Sequence, residues 1–332
     1  MIKDNKPGHY NQSYAILKAC EHLYPNSVSV EEVEVKIRVK LLRVFLNFFL
    51  NMNFRYTALL TIFYTFSSKI VQKPDIIISA GGDTSFLNAI LAKKYKAINF
   101  FAGSLRRLNS ALFSAVFSSD TSLKNNITLQ TPISVITFDA IKESAKSFLD
   151  KHELRKQEYW SFLLGGSDAG YVYKKEDIEN FITQIKLIQR NYPDIGLLIS
   201  TSRRTENFVE DMLKVLDVDY LVLYNEDPQK VVKAFLGLSS RVFVSEDSIT
   251  MVAEAIAASK EVYTLLPKVA NPTENDLGII RRHQEKGYIQ RVNIEDIGDF
   301  LDNSYLYKRV SVESFREIAQ KISPYIESFG IK

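Results

Sequence analysis

Only one cysteine, Cys20, occurs in the 332 residues. A single thiol excludes a disulfide framework and a zinc site built from cysteines. Histidine is almost as scarce, and the four imidazoles show neither HExxH nor another metal-ligand spacing. The glycine pair at 81–82 lacks the GK[ST] of a Walker loop, and no GxSxG elbow is present. Those absences argue against an NTPase and weaken a hydrolase reading. No uninterrupted apolar run reaches the ~18 residues of a membrane span. The richest stretch, Leu41 to Phe66, is broken by Arg43, Asn47, Asn51, Asn53 and Arg55. The opening MIKDNKPGHYNQS is polar and unlike a secretory leader. The expectation is an intracellular chain, or at least one indifferent to redox compartment.

Acidic residues are missing from one region. Val35 to Lys73 holds seven basic residues and no acidic one. Residues 1–119 carry 15 Lys/Arg against 7 Asp/Glu, a net of +8, which leaves −5 on the rest of a chain whose total is +3. A basic half recruits an anionic partner. Within it, Leu41–Phe54 can form a helix with Leu, Val and Phe on one side and Arg or Asn on the other. Such a helix suits an anionic bilayer, or equally an ordinary core with solvated charges. Nucleic acid is not expected, because the basic residues are embedded among aliphatic ones with no recognisable binding module.

What is present is globular: 46% of residues are hydrophobic and 24% charged. Length beyond roughly 250 residues predicts two domains. Val33–Lys40 alternates strictly, as a half-buried strand does. Ile76–Ser79 reads as a buried parallel strand running into Gly81-Gly82-Asp83-Thr84-Ser85, then a helix over Phe86–Lys94 and a strand over 96–101. The second half repeats the theme. Strands are expected over 160–164, 195–200, 220–224, 241–245 and 261–266, and helices over 175–191, 206–216, 229–238 and 249–258. This alternation predicts parallel, doubly wound α/β sheets. The expected domains are 1–140 and 158–310, with a charged helical linker over 138–158. The final stretch, 311–332, is expected to break or kink at Pro324 and to pack back on either domain.

The strand-end loops carry the candidate chemistry. Ser245-Glu246-Asp247-Ser248 passes from a buried strand to a helix, with Ser248 a good N-cap. The helix N-terminus there can hold a phosphate, and Glu254 can reach a ribose. Asp247 and Ser248 can also be plain caps. Ser202-Arg203-Arg204-Thr205 is either a phosphate clamp or a solvated basic turn capped by Thr205. Gly165-Gly166-Ser167 permits close backbone approach, or is simply a turn. In the first half, His9 precedes a helix expected over Tyr14–Leu23. It is a candidate general base, or a capping residue.

Four segments together, DNKPGHYNQS at 4–13, LLGGSDAGYVY at 163–173, LLISTSRRT at 197–205 and VFVSEDSITMVAEAIAASKEVY at 242–263, resemble the mitochondrial-fission Elm-one-like family of GT-B glycosyltransferases. The resemblance spans nearly the whole chain. It implies two Rossmann-like domains facing a cleft, with a nucleotide-sugar donor on the C-terminal one. By that resemblance Gly165, Gly166, Ser167, Ser202, Arg203, Arg204 and Asp247 line the donor pocket. Ser248, Ile249, Thr250 and Met251 meet its phosphates, and Glu254 its ribose. His9, or failing it Asp83, takes the acceptor proton, with Gly8, Asn11, Gln12 and Gly82 on the acceptor side. The family's usual first strand is nearly absent here, since only Met1-Ile2-Lys3 precede the 4–13 loop.

The resulting expectation is a metal-independent glycosyltransferase using a UDP-, GDP-, ADP- or CMP-linked sugar and no resident cofactor. Its acceptor would be a glycan or lipid-linked glycan, such as lipopolysaccharide core. It would sit in the cytoplasm, peripheral on the inner membrane through residues 35–73. The alternative is a non-catalytic adaptor recruiting a membrane-remodelling partner, as the name of the family's plant member implies. A nucleotide-sugar epimerase is set aside for want of a GxGxxG turn.

Overall fold

The computed structural model describes the chain except residues 5, 39–42, 52–62, 67–71, 106, 119, 302–306 and 331–332. Two compact units emerge, Met1–Val135 with Ser314–Lys332, and Ile136–Glu313. Among the described residues no helix is long and apolar enough to cross a membrane.

The first unit is built on a sheet of β1 (Ile2–Lys3), β2 (Val33–Ile37), β3 (Tyr64–Phe66), β4 (Ile76–Ala80), β5 (Ile98–Ala102) and β6 (Ala115–Phe117), in the order β3-β2-β1-β4-β5-β6. All neighbours are parallel except β2 and β3. In β2 the alternation sorts side chains by face, burying Val33, Val35 and Ile37 and exposing Glu34 and Lys36. The strand that sequence expectation left nearly absent is present and central. Two residues suffice, Ile2 pairing with Val33 on one side and Ser79 on the other.

Helices Arg43–Asn51 and Ser85–Tyr95 cover one face through Leu46, Leu50, Phe86, Leu87 and Ile90. Helix Pro7–Leu23 and the C-terminal helix Ser314–Ser328 cover the other through Ala15, Ile16, Ala19, Ile318, Ile322 and Ile326. Of the break or kink expected at Pro324, the break does not occur, since one C-terminal helix runs through it. Ile322 and Ile326 flank the proline in sequence and anchor the helix in the core, while the ring itself faces solvent. Parts of the basic stretch 35–73, namely 39–42, 52–62 and 67–71, lie outside the described residues.

The second unit holds β7 (Glu158–Leu163), β9 (Ile195–Ser200), β10 (Tyr220–Val222), β11 (Ser239–Ser245), β12 (Glu261–Leu266) and β14 (Ile289–Asn293), all parallel in the order β10-β9-β7-β11-β12-β14. A two-stranded ribbon, β8 (Tyr171–Val172) with β13 (Val269–Ala270), lies apart from it in the strand order. One face stacks aromatic rings across neighbouring strands, Phe162 on Phe243 at 4.5 Å and Phe243 on Tyr263 at 4.9 Å. Residues 138–158 are not a linker. Helix Phe138–Leu149 buries Ile141, Ala145 and Phe148, and Phe148 meets Phe235 and Tyr220 edge to face. Gly237 lets the helix approach, since a Cβ there would lie 2.2 Å from the Ile141 carbonyl oxygen.

Each sheet therefore has the same spatial order, with its first strand beside its fourth. Chain direction away from the centre reverses between β1 and β4, and again between β7 and β11. Crevices for ligands open at the carboxyl ends of strands flanking such a reversal.

Candidate functional site

At the β7/β11 reversal, three strand-end loops lock together. The Gly165 N–H donates to Ser245 Oγ at 2.5 Å and the Gly166 N–H to Asp247 Oδ2 at 3.3 Å. Thr205 Oγ1 donates to the carbonyls of Leu164 and Gly165, and the Ser167 N–H donates to Glu206 Oε1 at 3.3 Å. Both glycines are required by contact between these loops. A Cβ on Gly165 would lie 2.2 Å from Asp247 Oδ2, and one on Gly166 only 1.9 Å from the Arg204 carbonyl oxygen. The glycine pair therefore packs protein against protein. Thr205 does not cap the next helix, Asn207–Leu213; it accepts the Ser202 N–H at 2.9 Å and ties that loop down.

The two arginines separate in role. Arg204 donates to Asp247 Oδ2 at 2.7 Å and to Asp168 Oδ2 at 3.2 Å, so its charge is spent inside the loop cluster. Ser202 Oγ accepts the Arg204 N–H at 3.2 Å and helps hold it. Arg203 is exposed and joins no ion pair among the described residues. Asp247 is buried, with its carboxyl pushed up to about 6. Burial is the main cause, opposed by the Ser245 hydroxyl, the Arg204 charge and the Gly166 N–H.

Beside Asp247 lies a second carboxylate that sequence reasoning did not single out. Glu246 is buried and receives Arg291 on both oxygens, Nη2 to Oε1 at 2.6 Å and Nε to Oε2 at 2.9 Å. The Tyr171 hydroxyl at 2.7 Å and Thr264 Oγ1 at 2.9 Å complete its shell. Its neighbours come from β8, β12 and β14, so no local spacing announces the cluster. The only local signal was a second acid in the same strand-end turn.

Ser248 caps helix Ile249–Ala257 as expected, accepting the Met251 N–H at 3.5 Å. The N–H groups of Ile249 and Thr250 then have no intrahelical acceptor and mark the positive end of the helix dipole. Glu254 lies one turn further along, half-buried. A narrow, mostly apolar cavity opens beside the loops, lined by Gly165, Gly166, Tyr173, Phe181, Thr205 and Glu206. Glu206 Oε2 is buried there without a hydrogen-bond partner among the described residues. Ser167 is exposed, with its Oγ accepting the Tyr173 N–H at 3.1 Å.

The first unit presents a matching arrangement at the β1/β4 reversal. Segment 4–13 is mostly helix, not loop, because Pro7 opens helix Pro7–Leu23 with a φ already suited to its first turn. His9, Asn11 and Gln12 therefore lie in the helix, half-buried, with Gly8 beside them. His9 Nδ1 pairs with Asp4 Oδ2 at 2.6 Å. Asp4 was not singled out from the sequence, although it begins the DNKPGH segment. Beside the His9 ring lies Gly81, which follows β4 directly and has a φ of +85°. Gly82 accepts the Ser85 hydroxyl at 2.8 Å, and the Asp83 carbonyl accepts the Tyr64 hydroxyl at 2.7 Å. Among the described residues, no group of three or more His, Cys, Asp or Glu is placed to hold a metal ion.

The family model described as Mitochondrial fission ELM1 matches residues 7–320. No curated protein matches the chain. Among solved structures, the chain is similar to the S. aureus MnaA–UDP co-structure, at 13% identity over all of this chain and 96% of that one, with a TM-score of 0.57. It is similar to the Neisseria meningitidis UDP-GlcNAc 2-epimerase bound to UDP-GlcNAc, at 16% identity over 100% and 99% of the two chains, TM-score 0.56. The Methanocaldococcus jannaschii UDP-GlcNAc 2-epimerase in complex with UDP-GlcNAc and UDP gives 15% identity, 98% coverage of each and a TM-score of 0.57. These likenesses are of fold, and the fold is GT-B: two Rossmann-like units with mostly parallel sheets. Because structures named as epimerases share it, the missing GxGxxG turn does not separate an epimerase from a transferase.

Proposed function

The chain belongs to the Mitochondrial fission ELM1 family, and from that premise we propose that it transfers a sugar from a nucleotide-activated donor to a glycan or lipid-linked glycan. The observation that carries this reading is the β7/β11 reversal, where a rigid loop cluster leaves two anion-binding features unspent. They are the exposed Arg203 and the free N–H groups of Ile249 and Thr250. In the proposed complex these groups receive the diphosphate and stabilise the negative charge that grows on it as the sugar departs. Arg204 and Asp247 serve by holding the loops, not by touching the donor. Glu254 accepts the ribose hydroxyls. His9 takes the acceptor hydroxyl proton, and the reaction needs no divalent metal. Solved structures of similar fold are named as complexes with UDP or UDP-GlcNAc, which makes a UDP-linked sugar the first donor to try.

The basic character of the first half supports an anionic acceptor surface, such as lipopolysaccharide core on the cytoplasmic face of the inner membrane. Phe48, exposed on helix Arg43–Asn51, adds an apolar contact within that stretch. Donor turnover by wild type, Arg203→Ala and Glu254→Ala tests the assignment. Both variants are expected to lose at least about tenfold in kcat/KM, the equivalent of one lost charge-assisted bond. Undiminished turnover in both removes these residues from the donor site.

The names of the similar structures favour a second reading, epimerisation of the donor sugar. Incubation with UDP-GlcNAc and no acceptor separates the two. Formation of the 2-epimer supports the epimerase, whereas transfer requires an added acceptor.

A further inference from the structure

We infer that Asp4 is a positioning residue for His9, fixing the imidazole so that Nε2 receives the proton of the acceptor hydroxyl. This rests on the glycosyl-transfer reading and names a residue that reading did not contain. Asp4 follows β1 directly, so the two-residue central strand ends by placing this carboxylate at the carboxyl edge of the sheet. Asp4 is 8% exposed, and both its oxygens are engaged. Oδ1 accepts the Lys6 N–H at 3.1 Å, and Oδ2 pairs with His9 Nδ1 at 2.6 Å. The backbone of His9 is held too, its N–H donating to the Lys6 carbonyl at 3.0 Å.

The ring also lies against Gly81 around the same Nδ1 corner. A Cβ on that residue would lie 2.1 Å from His9 Nδ1 and 2.4 Å from Cε1, so only glycine leaves room for the imidazole. The wall is firm, because the Gly81 N–H donates to Ala102 O at 3.0 Å and its carbonyl accepts Thr84 Oγ1 at 2.9 Å. With Nδ1–H donated to Asp4, the lone pair resides on Nε2, which has no hydrogen-bond partner among the described residues. A ring tied through Nδ1 to a carboxylate and packed there against backbone loses little orientational freedom when it acts, and Nε2 is left for the substrate.

The step balances without a further reactant. The acceptor O–H bond breaks and its proton goes to Nε2. The oxygen forms a bond to the anomeric carbon, and the carbon–oxygen bond to the diphosphate breaks with its electron pair on the departing nucleotide. Asp4 faces the positive charge that the ring then carries, without itself taking the proton.

The test combines a spectroscopic signature with kinetics on the full chain. Two-bond ¹H–¹⁵N correlation of the neutral ring reads the His9 tautomer in wild type, Asp4→Ala and Asp4→Asn. The expected result is Nδ1–H in wild type and mainly Nε2–H in Asp4→Ala. With it kcat should fall by about 10²- to 10⁴-fold, the range for a general base, with the donor KM and UDP affinity unchanged. Asp4→Asn is the second variant, should the alanine chain fail to fold. An Nε2–H tautomer in wild type overturns the inference. So does undiminished kcat in a folded Asp4 variant. If wild type transfers no sugar, the glycosyl-transfer reading fails by itself, and the tautomer still decides whether Asp4 fixes the ring.

Discussion

Asp247 shows how a candidate ligand group can fasten the loops around it. It is buried, touches Gly166, Tyr173 and Arg204, and carries a carboxyl pushed up from 3.8 to about 6. A folded-state value above the unfolded one means that the folded chain holds the extra proton between about pH 4 and pH 6. Stability from this group is therefore greatest below that window and is lost as pH rises through it, to a total of about 3 kcal/mol. Asp247→Asn mimics the neutral acid. Relative to wild type, the variant is expected to gain in melting temperature as pH rises from 4 to 7, and denaturation scans across that range measure the gap. A gap independent of pH contradicts the assignment. The sequence showed that acids and arginines gather in the strand-end loops. It did not show which would cancel, because the pairing of Arg204 with Asp247 spans 43 positions. His9 was legible as a candidate base from its chemistry alone, whereas Asp4 became visible only once Pro7 was seen to start the helix.

At the scale of elements, periodicity was the most readable signal. The expected bounds of helix Lys175–Asn191 and strands Ile195–Ser200 and Glu261–Leu266 match the structure. Long amphipathic runs and short aliphatic strands bounded by turns state their period plainly. Two elements were misread for reasons of local chemistry. The helix Pro7–Leu23 starts seven residues before the expected Tyr14, since a polar first turn dilutes the apolar pattern. The helix Ser314–Ser328 crosses Pro324, because core contacts through Ile322 and Ile326 outweigh one missing backbone bond. Pro324→Ala restores that N–H at an exposed position. It should stabilise the chain by about 1 kcal/mol, less than the ~3 kcal/mol of the intrinsic scale, since the first unit already accommodates the ring. Chemical denaturation measures this, and a destabilised variant would mean that the proline is favoured where it stands.

At the scale of the whole molecule, the charge asymmetry sharpens when drawn on the structural units. The first unit holds 19 Lys/Arg and 10 Asp/Glu, a net of +9, and leaves −6 on the second. Chain order hid this division, because the C-terminal helix belongs with residue 1 and helix Phe138–Leu149 belongs with the second sheet. The acidic second unit is the one proposed to bind a polyanionic nucleotide. Its site must then depend on a few local donors, not on the mean field of the unit.

That claim is tested most directly by one measurement: the thermal shift of wild type and Arg203→Ala with UDP, GDP, ADP and CMP. One nucleotide, UDP first among them, should stabilise wild type in a concentration-dependent manner and stabilise Arg203→Ala distinctly less. Wild type left unshifted by all four nucleotides would remove the nucleotide site from the second unit and favour a scaffold that binds no donor.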